Sequence, residues 1–182
     1  TISGIRPRLL VLTSTYPRWS GDPEPGFVHE LAKRLVDRYE VHVLSPHAAD
    51  AAELAAMDGV TVHRYRYAPE RLETLNQGGG ILANLKHKRW KWVLVPLFLS
   101  AQVFATARLL RRLRPSIVHA HWIVPQGLVL AVLRLLGQHH PPVLVTSHGG
   151  DLFGLRGGIL SRLKSWALRD VSAITVVSQT ML

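Results

Sequence analysis

Apolar positions along the chain fall into short continuous runs separated by longer amphipathic stretches. "RLLVLTS" at 8–14 is such a run, ended by the turn-rich "TYPRWSGDPEPG", and predicts a buried strand followed by a loop. From Gly26, "FVHELAKRLVDR" places Phe27, Val28, Leu31 and Leu35 on one helical face with charges on the other. "EVHVLS" (40–45) and "VTVHRYRY" (60–67) alternate as strands do, and the Ala-rich "AADAAELAAM" between them predicts a short helix. Residues 68–80, ending in three glycines, read as a mobile connection. A long helical region then runs to about Arg114 with an interruption near Pro96, and Pro115 ends it.

The remainder continues the alternation. "SIVHAHW" (116–122) is a strand, and "PQGLVLAVLRLLG" (125–137) a helix opened by Pro125 and closed by Gly137. "PVLVTS" is a strand, "LSRLKSWALRD" (160–170) a helix and "SAITVVS" (172–178) a strand. The closing "SQTML" reads as the first turn of another helix, which makes the chain look like a fragment. Apolar strands alternating with helices predict a parallel sheet covered on both faces. Ligands of such sheets bind beyond the carboxyl ends of the strands. "TYPRWSGDPEPG", "SPH", "HAHW" and "SHGGD" all fall there.

Length and composition narrow the class. At 182 residues, with 47% hydrophobic and 19% charged residues, the chain suits one globular domain. It has no cysteine, which excludes a disulfide framework and a thiolate zinc site and fits a reducing cytoplasm. A net charge of +10 favours anionic partners. "TISGIRPRLLVL" lacks the pattern of a signal peptide. "VLVPLFLSAQVFATA" (93–107) is short for a membrane span and reads as a buried or interfacial helix.

Several motifs carry candidate chemistry. There is neither a G-x-G-x-x-G after the first strand nor a P-loop, which argues against a dinucleotide site and a P-loop NTPase. Gly26, just before the first helix, can offer free backbone N–H groups to a phosphate; the alternative is a plain turn. His119 and His121 are two apart on a strand and share a side. They are too few for zinc, so one His exposed in a cleft with Trp122 is the better reading. In "SHGGD", Gly149 lets backbone approach a ligand, His148 can donate to a sugar hydroxyl, and Asp151 can accept or orient the loop. The alternative makes Asp151 an N-cap and bonds His148 to backbone. Lys86, Lys88, Arg89 and Lys91, interleaved with Trp90 and Trp92, suit contact with an anionic membrane. A solvated basic face with the tryptophans packed inside suits the same pattern. No nucleic-acid module is recognisable.

Taken in order, "TSTYPRWSGDPEPGFVHELAKRL", "VLSPHA", "IVHAHWIVPQGL", "VTSHGGDL" and "AITVVS" resemble the N-terminal domain of bacterial family 4 glycosyltransferases. The resemblance covers nearly all of 8–182 and is weakest at 68–110. It implies an α/β fold: a Rossmann-like parallel sheet with helices on both faces, the N-terminal half of a GT-B fold. Residues 1–182 would be the acceptor-side domain, with the C-terminal nucleotide-sugar-binding domain absent from this sequence. Such enzymes transfer a sugar from a nucleotide diphosphate-sugar to an acceptor with retention of configuration. They typically need neither metal nor cofactor, and no Asp-x-Asp motif is present. His148 matches the histidine that faces the donor sugar, making it the catalytic-site candidate. Gly26, where relatives often carry two glycines and this chain has "EPGF", would lie near the donor diphosphate with Gly149 and Asp151. His121 and Trp122 would line the acceptor side. The implied partners are a nucleotide-sugar and a glycan or lipid-linked acceptor, and the implied location is the cytoplasm, with the basic segment at the inner membrane face. A nucleotide-sugar 2-epimerase on the same fold and a non-catalytic membrane-binding module are the alternatives.

Overall fold

The computed structural model describes residues 6–22, 26–76, 78, 80–153 and 157–178. Strands β1 (Arg8–Leu12), β2 (Glu40–Pro46), β3 (Leu54–Met57), β4 (Val60–Tyr65), β5 (Ile117–His121), β6 (Val143–Ser147) and β7 (Ala173–Val176) form one sheet. Its order is β3-β4-β2-β1-β5-β6-β7. Every neighbouring pair is parallel except β3 with β4. The chain order reverses direction across the sheet between β1 and β5, which creates the crevice where doubly wound sheets take ligands.

Strands β1, β2, β5 and β6 are buried along nearly their whole length because both faces of the sheet are covered there. Leu10, Leu12, Leu44, Val118, Ala120, Val143 and Val145 pack in one cluster with α3 (Leu94–Leu113) and α4 (Leu128–Leu135). Leu9, Val11, Val41, Val43, Val60 and Val62 pack on the other face with Val28 and Ala32 of α1 (Phe27–Lys33). α2 (Gly80–His87), a four-residue α5 (Gly150–Phe153) and α6 (Gly158–Leu168) complete the helices of the described residues.

Several expectations are corrected. The Ala-rich stretch is not a helix: its last residues form β3, antiparallel to β4 with Met57 opposite Val60. Asp58 and Gly59 both take positive φ, 50° and 81°, the two-residue hairpin geometry that an Asp-Gly pair favours. That turn overrides the helix propensity of alanine. Residues 68–76 are anchored rather than mobile. Glu73, fully buried, lies 2.6 Å from Nδ1 of His47 and accepts the Tyr67 N–H at 3.1 Å, and the Leu75 N–H donates to the Tyr67 hydroxyl at 2.9 Å. Residues 77 and 79 lie outside the described residues. Finally, the helical region breaks at Lys88, which is extended, and not at Pro96. A 3₁₀ stretch (Arg89–Val93) follows, and Pro96 sits in the first turn of α3, where no intrahelical acceptor awaits its missing N–H. α1 ends at Lys33, short of the expected 38, and Pro125 belongs to a wide turn (Ile123–Gly127) ahead of α4.

Candidate functional site

Three loops converge at the carboxyl edge beside the β1/β5 crevice. Phe27 opens α1, Trp122 follows β5 and His148 follows β6. Their rings form one cluster: Phe27 to His148 is 4.8 Å between centroids, Trp122 to His148 4.8 Å and Phe27 to Trp122 5.9 Å. Phe27 is 42% exposed, and Trp122 and His148 are half-buried, so the cluster forms an accessible aromatic wall. Trp122 has φ +74°, a conformation that costs a bulky residue energy and that functional loops tend to hold. Its N–H is fixed on the Thr146 carbonyl at 2.8 Å.

Beneath this wall lies a row of histidines. His119 and His121 do share a side, with centroids 4.2 Å apart, but neither is exposed: they are 5% and 1% accessible. The expectation that one stands open in the cleft is therefore corrected, and His121 lies under the site rather than lining its acceptor side. Both rings lie on the sheet face of Ile117 and Val11, opposite the Val118 and Ala120 face that packs under α4. Nε2 of His119 meets Oγ1 of Thr146 at 2.7 Å, and that hydroxyl meets Oγ1 of Thr175 at 2.6 Å. Nδ1 of His121 meets Nε2 of His148 at 2.9 Å. Burial lowers the pKa of His119 to about 4 and of His121 to about 2, with repulsion among the rings adding to it. Both are neutral at physiological pH. Burial also lowers His148, against an opposing pull from Asp151.

Asp151 braces the loops. It is 2% exposed, and its oxygens accept the Ile123 N–H at 2.5 Å and the Ser147 hydroxyl at 2.8 Å. The carboxylate thus ties the β5 loop to the β6 loop and is occupied, which places it behind the site rather than on a ligand. Gly149 has φ +87°, and its N–H reaches Ser147 Oγ at 3.5 Å. That geometry needs a glycine and turns the chain away from β6. Gly26 is the residue before α1, and its carbonyl accepts the Glu30 N–H at 2.8 Å. Residues 23–25 of the same loop lie outside the described residues.

Sequence reasoning missed Gln126, which is fully buried in the wide turn. In the orientation that satisfies both its groups, its amide donates to the His121 carbonyl at 2.7 Å. Its oxygen then accepts the Ser14 N–H at 3.0 Å and the Gln102 amide at 3.2 Å. The bond joins the β1 and β5 loops across the crevice; a polar residue beside Pro125 in an otherwise apolar run was the available signal. Among the described residues, no group of three or more acidic or histidine side chains is arranged to hold a metal ion.

The basic segment separates into two parts. Lys86, Lys88 and Arg89 are exposed, with Trp90 at 51% and Trp92 at 58%. Lys91 points inward instead: it is 5% exposed, and its ammonium donates to the Thr74 carbonyl at 2.8 Å and to Oδ1 of Asn84 at 2.5 Å. Its place on the membrane-facing surface is corrected accordingly, because the 3₁₀ twist turns it toward the 68–76 segment. Val93, Leu97 and Phe104 extend the exposed apolar face along α3. Residues 89–113 are long and apolar enough to cross a membrane, yet Leu94, Phe98 and Leu109 on the inner face belong to the core.

Fold and site together define a Rossmann-like α/β domain whose ligand edge carries an aromatic wall and a histidine. The Glycosyltransferase Family 4 model matches residues 27–182, and the chain belongs to that family. No curated protein matches it. Family membership implies, in general terms, a nucleotide-sugar donor and a sugar acceptor.

Proposed function

We propose that the chain is the acceptor-side domain of a retaining glycosyltransferase that moves a sugar from a nucleotide diphosphate-sugar to a glycan, lipid-linked or phosphorylated acceptor. The observation that carries this reading is the convergence of Phe27, Trp122 and His148 beside the crevice. Aromatic faces cover the apolar face of a sugar ring, and a neutral histidine hydrogen-bonds its hydroxyls. As the glycosidic bond to the diphosphate breaks, positive charge develops on the sugar and negative charge on the leaving group. Dipoles already aimed at those charges lower the barrier most. In this scheme His148 positions the sugar and forms no covalent bond, and a second, nucleotide-binding domain supplies the leaving-group contacts. The reaction needs no divalent metal.

The test is transfer from a nucleotide-sugar by an enzyme carrying both domains. His148→Ala is expected to lower turnover about 10²-fold, the scale for one oriented donor, and the isolated chain to be inactive. Unchanged turnover in the variant, or transfer by residues 1–182 alone, overturns the reading. Hydrolysis or epimerisation of the donor without acceptor identifies the 2-epimerase alternative.

A second element of the proposal rests on the exposed Trp90, Trp92, Val93 and Leu97 beside Lys86, Lys88 and Arg89. Tryptophans next to lysines suit the headgroup layer of an anionic membrane, and we place the enzyme at the cytoplasmic face. Each basic residue contributes about 1 kcal/mol near such a surface, so replacing all three with Glu should weaken vesicle binding at least about 10²-fold. Binding that ignores anionic lipid refutes this element.

A further inference from the structure

The site histidine does not stand alone, and its partner is unusual. Nδ1 of His121 and Nε2 of His148 lie 2.9 Å apart, with ring planes 19° apart and centroids at 5.2 Å. At that separation the rings meet edge to edge, with the hydrogen bond nearly in both planes. Each neutral imidazole has one N–H and one bare nitrogen, so one ring of the pair must donate and the other accept. His121 makes no second hydrogen bond among the described residues. If His148 were the donor, His121 would carry its proton on Nε2, where no protein acceptor waits. If His121 is the donor, its single N–H is used and only a lone pair is left without a partner. In a ring only 1% exposed, a donor left without a protein acceptor costs more than a bare lone pair.

We infer that His121 is a positioning residue: its Nδ1–H donates to Nε2 of His148 and holds the proton of His148 on Nδ1. Nε2 of His148 is then occupied from below, and Nδ1–H is the group left to meet a ligand. His148 thereby presents a fixed donor, suited to a sugar hydroxyl oxygen or to negative charge gathering during transfer. The burial of His121 at 1% exposure, between Gln126 on its carbonyl and His119 on its ring face, keeps the pair from rotating. That this donor serves sugar transfer rests on the function proposed above; the hydrogen-bond polarity itself does not.

The test is long-range ¹H–¹⁵N correlation spectroscopy on the ¹⁵N-labelled 182-residue chain at neutral pH, without substrate. The expected pattern for His148 is a protonated Nδ1 and a bare Nε2. A His148 protonated on Nε2 in the unsubstituted chain overturns the inference, and that reading needs no variant to fold. His121→Asn keeps a side-chain donor near the position of Nδ1 and should keep the His148 pattern, whereas His121→Leu should lose it. A His148 pattern unchanged in a folded His121→Leu chain also overturns it. In the two-domain enzyme, His121→Leu should reduce turnover and His121→Asn restore most of it. If the spectra agree but His148→Ala transfers normally, the hydrogen-bond polarity stands and the proposed function fails.

Discussion

The sheet carries two histidine pairs of the same geometry, and they have opposite surroundings. At the carboxyl edge, His121 meets His148 through Nδ1 and Nε2 at 2.9 Å. Farther from that edge, His42 of β2 meets His63 of β4 through the same two atoms at 3.2 Å. Behind His42 stands a carboxylate: its Nε2 lies 3.0 Å from Glu40, which in turn pairs with Arg8 at 2.9 Å. The Glu40 carboxylate accepts a hydrogen bond from Nε2–H of His42, so Nδ1 of His42 accepts and His63 donates. Among the described residues no carboxylate hydrogen-bonds His121, and the polarity runs the other way. The first pair is a brace between strands, ending on an exposed ion pair. The second ends on a half-buried ring against Phe27 and Trp122, in the crevice. Equal spacing therefore supports different roles, and what backs each ring decides which.

Acid titration should separate the two regions most strongly. Burial holds His119 at about 4, below the ordinary 6.5 that applies in the unfolded chain. As pH falls below 6.5 the unfolded chain binds a proton that the folded one refuses, so stability is full above 6.5 and declines toward pH 4. The loss is about 3 kcal/mol for this residue. His63 is also lowered to about 4, mainly by burial, and shares the same window. His121 is held lower still, at about 2, so its replacement by Gln should flatten the acid limb of urea-unfolding stability more than His63→Gln does. Equal flattening would mean that the row under the site is no drier than the brace.

Asp151→Asn comes next. It removes one acceptor from the pair that holds Ile123 N–H and the Ser147 hydroxyl, and should cost about 2 kcal/mol in urea unfolding. A loss under half that would show that the two loops are held by other contacts. Glu40→Gln at the amino edge is the smallest change. The Arg8–Glu40 pair is more than 40% exposed on both sides, so the expected cost is below about 1 kcal/mol.

Much of the fold was legible in sequence because six of the seven strands sit where a short apolar run or an alternation predicts one. β3 was not, since alanines on an edge strand carry no period and the Asp58-Gly59 turn decides the matter. Lys91 was misplaced because its charge says nothing about the 3₁₀ twist that buries it. At the site, the position of His148 followed from a strand that ends in two glycines. The burial of His121 did not, because alternation along β5 reports a shared face with His119 but not what covers that face. Gln126 acts across the sheet, between residues more than a hundred positions apart, and no local pattern records such a contact.

The most direct measurement is transfer from a nucleotide-sugar by a two-domain enzyme in which His148→Ala and His63→Ala are compared side by side. A site at the carboxyl edge predicts that kcat/KM falls about 10²-fold for His148→Ala and stays at the unsubstituted value for His63→Ala. Equal losses in the two variants, or none at His148, would contradict it.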